Sequence, residues 1–165
     1  MKKKLISILL MAAVAAGSLA GCGKSTDQGS GTTNTEGKVI NIYCWNNEFR
    51  ERVEAVYPEV KETSADGTVT TLKDGTEIHW IINPNQDGVY QQKLDEALLN
   101  QASAADDDKI DIFLSETDYV NKYTDADADV AMPLVDLGIN PDTDLADQYS
   151  FTKVTAFDAN GVQRG

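Results

Sequence analysis

Val39-Ile40-Asn41-Ile42-Tyr43-Cys44-Trp45 is a short, nearly continuous apolar run, the pattern of a strand covered on both faces. Asn46 or Asn47 can cap a helix directly after it. Phe49, Val53, Val56 and Tyr57 then fall on one apolar stripe, which Pro58 stops. Val69 to Leu72 and Glu77 to Ile82 flank Lys73-Asp74-Gly75-Thr76, which predicts a hairpin. Its second arm, Ile78-His79-Trp80-Ile81-Ile82, reads as a core strand ending at the turn signal Asn83-Pro84-Asn85. Asp87 can cap a second helix, with Tyr90, Leu94, Ala97, Leu98 and Gln101 on one stripe. Ile110 to Leu114 is a further short strand, and a short helix is predicted from Glu116 to Tyr123 with Tyr119 and Tyr123 inward. Asn140-Pro141-Asp142 sets a cap, a first-turn proline and an acid before another helix, and Asn160-Gly161 is a turn. Alternation of strand and helix predicts an α/β domain with a mainly parallel sheet, flanking helices and right-handed crossovers.

Upstream of that domain, Met1-Lys2-Lys3-Lys4 is a positive n-region and Leu5 to Ala16 an apolar h-region of about a dozen residues. The run is shorter than the ~20 residues a spanning helix needs. Leu19-Ala20-Gly21-Cys22 resembles a bacterial lipobox, in which Cys22 becomes the first residue and its thiol takes a diacylglycerol. An ordinary signal peptide with a chance cysteine is the alternative. Multiple acyl chains would hold the mature chain on the outer face of a cell membrane. Gly23 to Gly37 is rich in Gly, Ser, Thr and Asn and reads as a tether. The predicted organisation is therefore a signal peptide over 1–21, a lipidated tether over 22–37 and a folded part over 38–165.

Removing residues 1–21 takes away Lys2, Lys3 and Lys4 and no acid, so the net charge passes from −13 to −16. Such a surface repels nucleic acid and anionic lipid headgroups. If Cys22 carries lipid, Cys44 has no disulfide partner, and inside its apolar run it reads as a small buried hydrophobe. Asp125, Asp127, Asp129 and Asp136 match calcium-loop positions 1, 3, 5 and 12. Val130 stands where that loop requires glycine, so no metal is expected. His79 lies between Ile78 and Trp80 and reads as a packed or edge histidine. No cofactor is implied.

The lipobox, the tether, the Val39-to-Trp45 and Ile110-to-Leu114 strands, Glu116-Thr117-Asp118-Tyr119 and Pro133-Leu134-Val135-Asp136-Leu137 occur in one order and spacing. Together they resemble the start of an extracellular solute-binding lipoprotein of an ABC importer, in the carbohydrate-binding branch often called family 1. The resemblance implies lobe one of a type II periplasmic-binding-protein-like fold, with a ligand cleft between two lobes that close on a hinge. Family members are substantially longer, and the chain stops at Arg164-Gly165 just after a turn, so the second lobe is expected to be missing. The stretch from Thr63 to Gly75 is also longer than a minimal helix-to-strand link.

The family implies a strand order 2-1-3, which places a switch point between strands one and three. Ligands of open α/β sheets bind outside the carboxyl ends of strands at such a point. Those ends carry Trp45, Asn46 and Glu48, and Glu116 and Asp118. An aromatic face beside amides and carboxylates suits a sugar: the ring takes the C–H side and the polar groups take hydroxyls. Each residue also has a structural reading, Trp45 as core, Asn46 or Asn47 as cap, and Glu48, Glu116 and Asp118 as complements to helix dipoles. The expected partners are a small carbohydrate, the permease subunits of an importer and the membrane itself. A lipid-anchored carbohydrate-active enzyme, using the acids as a paired-carboxylate site, is one rival. An adhesion or scaffold domain is the other.

Overall fold

The computed structural model describes residues 38–165. The expected signal peptide over 1–21, Cys22 and the expected tether over 22–37 lie outside the described residues.

Five strands form one sheet: β1 (Val39–Cys44), β2 (Val60–Thr63), β3 (Val69–Leu72), β4 (Glu77–Ile82) and β5 (Ile112–Phe113), in the order β2-β3-β4-β1-β5. β1 pairs in parallel with β4 along its whole length and with β5 at Ile42 and Tyr43. The three parallel strands thus stand in the order second, first, third, as the resemblance implies. The expectation of a mainly parallel sheet is corrected, because β2 with β3 and β3 with β4 are antiparallel. Lys73-Asp74-Gly75-Thr76 forces this. Its tight turn, with Gly75 at φ 89°, returns the chain directly beside itself, which only an antiparallel pair permits. β2 then extends the same ribbon, and β3 with its two flanking turns fills the stretch from Thr63 to Gly75 that looked like a long link. β2 carries Lys61, Glu62 and Thr63 exposed, the composition of a blunted edge.

The apolar run of β1 is explained by packing on both faces. Ile40, Ile42 and Cys44 join Leu72, Ile78, Trp80 and two residues of α1 (Glu48–Val56), Phe49 and Val53. Tyr43 points the other way, and Trp45 just beyond the strand joins it, against Tyr90 and Leu94 of α2 (Val89–Asn100) and Tyr123 of α3 (Asn121–Thr124). One residue step reverses the face, so α1 covers one side of the sheet and α2 with α3 the other. Asn41, a polar member of the run, is buried. Its amide donates to the carbonyls of Asp107 and Lys109 at 2.7 and 2.8 Å, and its backbone N–H donates to the Asp111 carboxylate. It thereby fixes where the chain turns into β5.

Helix edges depart from the pattern in specific ways. Val56 and Tyr57, expected on the inward stripe of α1, are the last residue and the cap of that helix and are 79% and 44% exposed. Asp87 does not cap α2. It sits at φ 53°, followed by Gly88 at φ 75°, and Gly88 occupies the cap position. Gln101 completes the stripe by bonding both backbone groups of Ile110, at 2.8 and 2.9 Å. No helix starts at Asn140. Its side chain accepts from Asp142 N–H at 3.1 Å and its carbonyl from Asp144 N–H at 2.8 Å, but the acid-rich turns beyond bring no apolar stripe to bury. The last helix, α4 (Ser150–Thr155), leads to an antiparallel bridge between Phe157 and Gln163 around the predicted turn at Asn160-Gly161. Asp158 is enclosed there, accepting from the N–H groups of Asn160 and Val162 and from Arg164 Nε, at 2.8 to 2.9 Å.

Candidate functional site

Parallel pairing sends the carboxyl ends of β4, β1 and β5 to one edge of the sheet. Three loops therefore meet there: Trp45 to Asn47 after β1, Asn83 to Gly88 after β4, and Leu114 to Val120 after β5. Backbone bonds bind them together, from Asn83 N–H to the Cys44 carbonyl at 2.9 Å and from Leu114 N–H to the Tyr43 carbonyl at 3.0 Å. Tyr90 rises from α2 beneath them. Its hydroxyl donates to the Leu114 carbonyl at 2.6 Å and also lies 3.2 Å from the Tyr43 carbonyl. This fully buried phenol is the post on which the rim is built.

The residues expected at the rim divide. Trp45 is half-buried and stands edge-on to Tyr90, with ring centroids 5.3 Å apart and planes at 88°, so it packs and still reaches the surface. Asn46 is exposed, and its side-chain oxygen accepts from Glu48 N–H at 3.0 Å, which makes it the residue that closes the start of α1. Glu48 pairs with Arg52 one turn along α1 at 2.6 Å. Because α1 covers the opposite face from α2, Glu48 and Trp45 diverge from the same turn. Glu116 and Asp118 are exposed on the β5 loop. Glu116 accepts from Asn85 Nδ2 at 2.9 Å, a bond that joins the loops on either side of β1. Asn85 was read only as part of a turn. Its neighbour in space is 31 positions away in sequence, and only the strand order puts the two together.

Electrostatically the β5 side of the rim is negative. Burial first, then the carboxylates of Glu116 and Asp118, push the Tyr119 phenol above its usual range. Burial likewise raises Tyr90, with Tyr119 adding to it. The hydroxyls of Ser115 and Tyr119 are both enclosed without a hydrogen-bond partner among the described residues. An anion would meet a repulsive field here, whereas a neutral polyhydroxy compound would find acceptors. Among the described residues no three potential ligand side chains gather around a metal position, and no helix is long and apolar enough to cross a membrane.

His79 lies on the inner strand β4, half-buried, with its Nε2 3.1 Å from Glu77 and away from the rim. Cys44 is wholly buried, and burial raises its thiol pKa. A groove of about 880 Å³ follows the open edge of β5, between Ile112 and Phe113 on one side and Val130, Met132 and Leu134 on the other. It is mostly apolar and meets the rim loop after β5 at Ser115 and Val120.

No protein-family model matches this chain, and no curated protein or solved structure matches it either.

Proposed function

We propose that this chain is a lipid-anchored, extracytoplasmic solute-binding receptor that captures a sugar or oligosaccharide for an ABC importer. Its folded part is read as lobe one of a type II periplasmic-binding-protein-like fold. The observation that carries the reading is the order of the parallel strands. With β1 between β4 and β5, the sheet has a switch point whose open carboxyl ends bring Trp45, Asn46, Glu116 and Asp118 to one edge. An aromatic beside amides and carboxylates is chemistry for hydroxyls. The lipobox and tether support the anchor at Cys22, and delivery to permease subunits follows from the family resemblance. Capture in such receptors proceeds by hinge closure around the ligand.

Calorimetric titration of the mature chain with neutral sugars, amino acids and short peptides tests the ligand class. A sugar should bind, and Asp118→Asn should weaken that binding while leaving the melting temperature of the free protein unchanged, since an exposed carboxylate does little for the core. Tight binding of an amino acid or peptide with no sugar bound would end the carbohydrate assignment. Product formation from a sugar polymer would favour the enzyme rival instead. The anchor is tested separately: Cys22→Ser should move the protein from the membrane fraction to the soluble fraction, and a wild-type protein recovered soluble with a free thiol at Cys22 would refute it.

A further inference from the structure

We propose that Asn85 and Glu116 together form a subsite for two adjacent hydroxyls of a neutral sugar, with Asn85 as its positioning residue. The inference rests on the carbohydrate reading above and adds to it a third wall, contributed by the loop after β4. Asn85 is held from both sides. Two residues before it, Asn83 N–H bonds the end of β1, and the Pro84 carbonyl accepts from Tyr90 N–H at 3.1 Å. Beyond it, Asp87 and Gly88 take successive left-handed conformations, at φ 53° and 75°, which turn the chain sharply into α2 and leave Asn85 at the rim.

From that position Asn85 Nδ2 donates to Glu116 Oε2 at 2.9 Å across the end of β1. The bond uses one of the two amide hydrogens and one carboxylate oxygen. A side-chain inventory leaves the other amide hydrogen as a donor, with Asn85 Oδ1 and Glu116 Oε1 as acceptors. One hydroxyl of a vicinal pair can donate to Glu116 Oε1 while its neighbour accepts from the amide and donates to Oδ1. Because Asn85 already fixes the carboxylate, less side-chain freedom is lost when the sugar arrives. Both residues are exposed, so the array is open to solution. Asp87 and Asp118 on the same loops keep its surroundings negative and select against acid sugars and phosphates.

The pair permits a swap. Asn85→Asp sets two carboxylates about 3 Å apart, where like charges repel strongly. Glu116→Gln removes the charged acceptor. The double variant N85D/E116Q restores one amide and one carboxylate with their roles exchanged. Titration of the mature chain at pH 7 with glucose, maltose, cellobiose and xylobiose should show N85D binding its best sugar about tenfold or more weakly than wild type. E116Q should weaken binding as well, and N85D/E116Q should recover most of the loss, a rescue that a merely structural role for Asn85 would not give. Wild-type binding that N85D leaves intact, or a double variant no better than N85D, overturns the subsite alone. A wild-type chain that binds none of the four sugars overturns the carbohydrate reading and the subsite with it.

Discussion

At the scale of single residues, the aromatic cluster beneath the rim separates hydroxyls that hold the structure from one that burdens it. Tyr90 and Tyr119 are neighbours on the α2 face, yet their phenols differ in what they touch. The Tyr90 hydroxyl donates to the Leu114 carbonyl of the β5 loop, so removing it takes that donor away, while the nearby Tyr43 carbonyl keeps its bond from Leu114 N–H. Tyr90→Phe should therefore cost about 1–2 kcal/mol. The Tyr119 hydroxyl is enclosed with no partner among the described residues, and burying an unpaired hydroxyl carries a penalty of about 1–3 kcal/mol. Tyr119→Phe should leave stability unchanged or raise it. Urea unfolding of the two variants decides the matter: equal losses for both would mean that the Tyr119 hydroxyl is satisfied in solution. Trp45 shows how far sequence carries at this scale. Its place after a core strand made it a candidate for ligand or core, and the structure shows it packed edge-on against Tyr90 with the residue half-buried. Asn85 carried no such signal, because an asparagine beside a proline reads as a turn residue wherever it occurs.

At the scale of elements, legibility followed apolar periodicity. β1, β3, β4, α1 and α2 each present a stripe or run that must be buried, and each formed near its expected bounds. β2 carries one apolar residue among four, because an edge strand has little to bury, and it was invisible for that reason. The stretch after Asn140 has the signals of a helix start but no stripe behind them, and signals alone do not sustain a helix. Burial, not propensity, is thus the quantity to test. Leu94 in the middle of α2 is fully buried between Tyr90 and Tyr123, and Leu94→Ala should destabilise by about 2–5 kcal/mol. Val56 on the last turn of α1 lies on a predicted stripe but is 79% exposed, and Val56→Ala should change stability by no more than about 0.5 kcal/mol. Thermal melts showing a large loss for Val56→Ala would mean that another surface covers it.

For the whole folded part, the dense negative charge sets the response to acid. Several carboxyls are held below their ordinary range by donors that exist only in the folded chain. Asp66 falls from 3.8 to about 2, chiefly through the hydroxyl of Ser64 and then that of Thr68. Asp158 is lowered first by the Val162 N–H and also by Arg164, and Asp74 first by the Thr76 N–H. Glu96 and Asp106 are lowered by Lys93 and Lys109. Each is a group whose folded pKa lies below its unfolded one, so its contribution is fully present above the unfolded value near 4. That contribution is lost as pH falls through the folded value, and protons bind the unfolded chain more readily across the interval. Stability should therefore hold from neutrality to about pH 4.5 and decline from about pH 4 toward pH 2. Repulsion among the carboxylates works in the opposite sense, since their partial protonation relieves it first. A shallow rise in stability just above pH 4 should therefore precede the fall. Asp66→Asn removes one of the groups that drive the fall, so its melting temperature should drop less steeply between pH 4 and pH 2 than that of the wild type. Parallel acid limbs for the two proteins would show that the Ser64-Asp66-Thr68 turn is not linked to folding.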